Sequence, residues 1–163
     1  MPVLVTTEID PLSCSLQQLE KTAETLLMHT GRKDNELSIL LVDDRRMTEL
    51  NSSYRGKGTP TNVLSFPMLD PEEEESGMPL LLGDIVISID TAEREATEMG
   101  RSLDDYLAIL LVHGYVHLLG FDHEQGEEEE AAMRAMEKKF LDLLAVPGNG
   151  LSPLGESTDE VDR

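Results

Sequence analysis

The sequence predicts an α/β (α+β) protein: one domain over residues 1–146, with a small mixed sheet packed by helices and an apolar helix at its centre. Residues 147–163 form an acidic tail expected to be disordered. Three observations lead there. Short β-prone runs alternate with stretches whose apolar residues recur at helical spacing. Capping residues and glycines punctuate those stretches. Leu103 to Leu119 is apolar nearly all round, as a helix covered on most sides must be. At 163 residues the chain suits a single hydrophobic core.

Taken in order, Val3 to Ile9 reads as a first strand, and a turn at Pro11 leads to Ser15. Ser15 and Gln18 have the capping-box spacing, and Leu16, Leu19, Ala23, Leu26 and Leu27 then mark a helix up to Gly31. Leu37 to Val42 is a buried strand, and Asp43 or Asp44 caps a short helix carrying Met47 and Leu50. Gly56, Gly58 and Pro60 predict a loop over Tyr54 to Thr61, followed by a strand from Val63 to Phe66. Asp70 to Met78 reads as an acidic surface loop. Gly83-Asp84 introduces a β-branched strand, Ile85 to Ile89, and Asp90 with Glu93 signals a helix ending at Gly100. Ser102 caps the central helix, Gly120 stops it, and an amphipathic helix over about Glu127 to Leu144 closes the domain.

No run approaches the roughly 18 apolar residues of a membrane span, and the N-terminus has no basic-apolar-small secretory pattern, so a cytoplasmic protein is expected. The single Cys14 agrees with a reducing compartment and reads as an inert small hydrophobe. The net charge of −20 should repel nucleic acid at long range. However, 13 of those charges fall in three blocks: Asp70 to Glu75, Glu124 to Glu130 and Gly148 to Arg163. Asn51 to Met68 carries Arg55 and Lys57 and no acid, which makes it the stretch best suited to an anionic ligand.

The chemistry is concentrated in H-G-Y-V-H-L-L-G-F-D-H, residues 113–123. His113 and His117, four apart, project from one helix face closely enough to share a metal ion. Gly120 lets the chain turn back, so His123 can approach the same ion from outside the helix. Three neutral nitrogen ligands predict one Zn²⁺ per chain with a fourth, open position for water, whose pKa would fall toward ~7. Hydrolysis is the natural chemistry of such a centre. Asp122 is either an acceptor for the outer nitrogen of a ligand imidazole or a turn cap. His29 reads as ordinary surface. Zinc proteases with this spacing carry a Glu after the first His as general base; here that position is Gly114.

H-G-Y-V-H-L-L-G-F-D-H, together with L-N-S-S-Y-R-G-K-G-T-P-T-N-V-L-S-F-P over Leu50 to Pro67 and L-G-D-I-V-I-S over Leu82 to Ser88, resembles the YbeY family of bacterial rRNA-maturation endoribonucleases. The likeness extends over about Val3 to Leu144, with Val116 standing where the family motif has Leu. The resemblance implies a single α/β domain in which His113, His117 and His123 bind zinc, and Arg55 faces the metal cleft and supports RNA cleavage. A guanidinium there could grip two phosphate oxygens while the metal polarises another. A surface Arg paired with one of the many carboxylates is the alternative. Lys57 would help attract RNA, or would simply be solvated. The implied activity is a metal-dependent, single-strand-preferring endoribonuclease in 16S rRNA 3′-end maturation and ribosome quality control. The implied partners are single-stranded rRNA and ribosomal particles or a basic ribosomal protein. Two other functions compete: a non-catalytic ribosome-assembly or RNA-binding factor with a structural zinc, which the acidic surface favours, and a zinc amide hydrolase, against which Gly114 argues.

Overall fold

The computed structural model describes residues 3–10, 13–68, 81–120, 126–146 and 159–160. The described strands are β1 (Val3–Thr7), β2 (Glu36–Val42), β3 (Val63–Pro67), β4 (Leu81–Ser88) and β5 (Asp159–Glu160). The described helices are α1 (Leu16–His29), α2 (Asp44–Arg55), α3 (Ile89–Met99), α4 (Leu103–Leu118) and α5 (Glu127–Leu143). The sheet is mixed, in the order β1-β2-β4-β3-β5. β1, β2 and β4 run parallel, β3 lies antiparallel to β4, and β5 pairs in parallel with Leu64 and Ser65 of β3. Of the expected tail, the structure describes only Asp159–Glu160; the expected loop over Asp70 to Met78 lies outside the described residues.

The strand period of two divides the sheet's side chains between its faces. Leu37, Ile39, Leu41, Val63, Ile85 and Ile87 join the main core with α1, α3, α4 and α5, while Val42, Leu64, Phe66 and Val86 pack against Met47 and Leu50 of α2 on the opposite face. From Tyr106 to Leu118 every residue of α4 is buried. Its two phenols are satisfied within the core: Tyr106 Oη donates to Glu95 Oε1 at 2.7 Å, and Tyr115 Oη is 2.6 Å from Thr30 Oγ1. Burial and the Glu95 carboxylate hold the Tyr106 hydroxyl protonated, well above the usual phenol range.

Ser15 and Ser102 cap α1 and α4, accepting from Gln18 N at 3.1 Å and Asp105 N at 3.2 Å. Such caps contribute about 0.5–2 kcal/mol each. Three boundaries differ from expectation. α2 takes in Tyr54 and Arg55, which the sequence placed in a loop, because the first residue able to stop it is Gly56, in left-handed backbone at φ 70°. The helix after β4 is capped by Ser88, whose Oγ accepts from Thr91 N, rather than by Asp90; Ile89, expected in the strand, is already helical. Asp90 instead accepts from Asp44 N at 2.9 Å. Gly83 and Asp84 lie inside β4 rather than before it. Asp43 is the cap of α2, accepting from Arg46 N at 2.8 Å, and this frees the neighbouring Asp44 for a tertiary role. Asp44 accepts from Ser88 Oγ at 2.7 Å, Thr91 Oγ1 at 2.6 Å and Arg94 Nη1 at 2.8 Å, locking α2 to β4 and α3.

Candidate metal centre

The orientation of α4 is set by its glycine. A Cβ at Gly114 would stand 3.1 Å from Ser65 Oγ and 3.2 Å from Ile85 Cγ2, so a larger residue would press these two side chains aside by a few tenths of an ångström, and glycine lets the helix lie this close to β3 and β4 without that shift. Ser65 Oγ donates to Gly114 O at 3.2 Å across that contact. With Gly114 turned to the sheet and 100° of rotation per residue, His113 and His117 share one flank of the helix. They are buried at 2% and 1% exposure. Their Nε2 atoms face each other 3.0 Å apart, with rings 4.6 Å between centroids and inclined at 76°.

Behind His113 stands a residue the sequence reading did not single out. Glu137, on α5, places its Oε1 in hydrogen-bond contact with His113 Nδ1. The signal was present in the helical pattern. Met133, Glu137, Phe140 and Leu141 fall at i, i+4, i+7 and i+8, so Glu137 is an acid standing on the apolar stripe that α5 turns to the core.

His123 and Asp122 lie outside the described residues, and among the described residues no group of three or more His, Cys, Asp or Glu side chains converges as a metal site. The described pair nevertheless suits a nitrogen-ligated divalent ion. Two ligands at 2.0–2.1 Å from a tetrahedral zinc stand about 3.3 Å apart, close to the 3.0 Å between the two Nε2 atoms. A carboxylate on the outer nitrogen is the usual companion of a metal-binding imidazole.

Arg55 is the last residue of α2, half-buried with its Nη1 atom shielded from solvent, and Lys57 is exposed in the loop beyond. That loop is held to the helix through Asn51, a buried side chain whose Nδ2 donates to Thr59 O at 2.7 Å. α2 and α4 lie on opposite faces of the sheet, yet both end at the same corner. Tyr54 packs edge-on against Phe66, 5.2 Å between centroids, while Leu118 covers Gly83, the partner of Pro67 in the β3–β4 ladder. The last turns of α2 and α4 therefore approach one end of β3 from its two sides.

The remaining candidates are peripheral. His29 is exposed, with Nδ1 3.0 Å from Thr25 O. Cys14 is half-buried against the core, and burial, with Asp104 and Glu93 adding to it, pushes its thiol up to about 11. No helix among the described residues is long and apolar enough to cross a membrane.

The fold resembles the solution structure of a protein from Thermotoga maritima, with a TM-score of 0.58 over 94% of this chain and 98% of that one at 22% identity. Proteins named endoribonuclease YbeY are closer in sequence. The one from Aquifex aeolicus is 50% identical over 128 residues, covering 78% of this chain and 83% of its own. The one from Syntrophotalea carbinolica is 45% identical over 132 residues, covering 80% and 85%. The endoribonuclease YbeY family model matches residues 5–145, every described element except β5 lying within or overlapping that span. The chain belongs to the endoribonuclease YbeY family.

Proposed function

We propose that this protein is a zinc-dependent, single-strand-preferring endoribonuclease acting in the cytoplasm on 16S rRNA 3′-end maturation and ribosome quality control. One zinc ion per chain would be held by His113, His117 and His123. The activity is supported by the family, whose members are named endoribonucleases; the observation that carries the metal reading is the buried pair of Nε2 atoms 3.0 Å apart. Zinc, when bound, supplies a Lewis acid that polarises a phosphoryl oxygen and lowers the pKa of a water. Arg55, at the converging corner, binds a substrate phosphate through its planar fork and offsets charge developing on it. Lys57, exposed on the adjoining acid-free loop, draws the RNA strand in. A flexible single strand bends into a corner between two helix ends more readily than a stiff duplex does.

A non-catalytic ribosome-assembly factor is the second reading, favoured by the net charge of −20, which suits a basic ribosomal protein better than naked RNA. Amide hydrolysis is disfavoured by geometry as well as by sequence. The position after His113 points into Ser65 and Ile85, so it could not offer a general base to the metal side of the helix. Elemental analysis with X-ray absorption tests the centre: about one zinc per chain with nitrogen and oxygen ligands is expected. A sulfur ligand, or unchanged metal in the His113/His117/His123→Ala protein, would refute it.

A further inference from the structure

Glu137 is 18% exposed, whereas Glu127, Glu128 and Asp142 on the same helix are exposed, so it is not part of the solvated face of α5. A carboxylate buried this far has to be satisfied, and its partner is the outer nitrogen of a histidine that is itself 2% exposed. An ionised carboxylate only accepts, so the hydrogen of this contact lies on His113 Nδ1, and in a neutral ring the other nitrogen keeps its lone pair. That lone pair is directed at His117 Nε2, 3.0 Å away.

We infer that Glu137 is a positioning residue of the metal centre: it holds His113 as the Nδ1–H tautomer with Nε2 presented to a divalent cation, and its charge strengthens that nitrogen as a donor. The inference rests on the reading of His113 and His117 as zinc ligands. A neutral His113 with its hydrogen on Nδ1 is thereby preset to offer Nε2 to a metal. An ordinary ion pair between α4 and α5 would differ, because it needs a doubly protonated His113 that offers no lone pair and it would act on stability alone.

The full chain, Glu137→Gln and Glu137→Ala are compared by competition for zinc with a chromophoric chelator, by melting of the metal-free proteins, and by long-range proton–nitrogen NMR of the imidazoles. Glu137→Gln should weaken zinc roughly ten- to hundredfold, with a metal-free melting temperature close to the parent's. The parent's His113 should be a neutral Nδ1–H tautomer, a preference lost in Glu137→Ala. If the parent binds zinc and both variants bind it as tightly, or if His113 is doubly protonated or carries its hydrogen on Nε2 at pH 8, the inference is wrong. A parent that binds no zinc would overturn the reading of the histidines themselves, and this is seen before any variant is made.

Discussion

Asp44 offers the strongest test of how the fold positions α2, and through it Arg55. Asp44→Ala removes the acceptor shared by Ser88 Oγ and Thr91 Oγ1, hydroxyls on residues 0% and 8% exposed. Both oxygens keep a role as acceptors, from Thr91 N and Arg94 Nη2, but their hydrogens lose their partner. Leaving two such donors unsatisfied costs about 1–3 kcal/mol each in a buried setting, and partial access of water reduces the sum to about 2–4 kcal/mol. The exposed Arg94 contact is screened and adds little. In urea at neutral pH, with a slope of roughly 2 kcal/mol per molar, the midpoint should fall by about 1–2 M with the slope unchanged. Burial works against the charge on Asp44, but hydrogen bonds from Thr91, Ser88 and Arg94 outweigh it and hold the carboxyl below its usual 3.8. A depressed folded-state value means that the charged form's contribution is complete above the unfolded value and lost as pH falls through the folded one. The gap between parent and variant should therefore be widest above about pH 5 and narrow below pH 4. Asp44→Asn, which keeps an oxygen for both hydroxyls, should lose less. A loss under about 0.5 kcal/mol in Asp44→Ala, or a gap independent of pH, would refute the reasoning.

Two further outcomes follow from close packing and burial. In Gly83→Ala the new Cβ would lie 2.6 Å from Phe66 O, a backbone atom that cannot rotate away, and 2.6 Å from Leu118 Cδ2. β4 must then part from β3 and the end of α4, a loss of about 1–3 kcal/mol or more in urea unfolding, with weaker zinc binding because Leu118 adjoins His117; a neutral effect on both would contradict this packing. The Cys14 thiol, raised from 9.0 to about 11, should carry roughly a hundredfold less thiolate than an ordinary cysteine. It should react with a disulfide reagent at pH 7.5 far more slowly in the native protein than in urea, and equal rates would show that it is not shielded.

Much of this architecture could be read in the sequence, because local chemistry decides it. The serines that cap α1 and α4 stand directly before apolar residues at helical spacing, and the unbroken apolar run of α4 announced its burial. The errors arose where two local signals competed. Asp90 with Glu93 has the spacing of a cap, but Ser88 stands two residues earlier and takes the role, while Asp90 is used by α2. Three breakers after Arg55 suggested a loop, but a helix continues until a breaker is actually reached, and Gly56 is the first. The pairing of Glu137 with His113 spans 24 residues and two helices. No spacing rule reaches that far; only the misplaced acid on an apolar stripe hinted at it. That α2 and α4 end at one corner of the sheet is likewise a consequence of strand order, β3 lying beside β4 rather than β2, which periodicity alone does not encode.

The central claim, a metal-dependent ribonuclease with Arg55 at its phosphate, is tested most directly by one set of RNA-cleavage rates. The parent, Arg55→Ala, Arg55→Lys and His117→Ala are purified identically and assayed on single-stranded and duplex RNA with zinc content measured alongside. Cleavage by the parent should favour the single strand, and His117→Ala should lose both zinc and activity. Arg55→Ala should keep its zinc and melting temperature while cleaving roughly a hundredfold more slowly, and Arg55→Lys should recover little of that, since an ammonium cannot reproduce the two-pronged grip. If Arg55→Ala and His117→Ala both cleave RNA as fast as the parent, the activity belongs to a contaminant and the catalytic account fails.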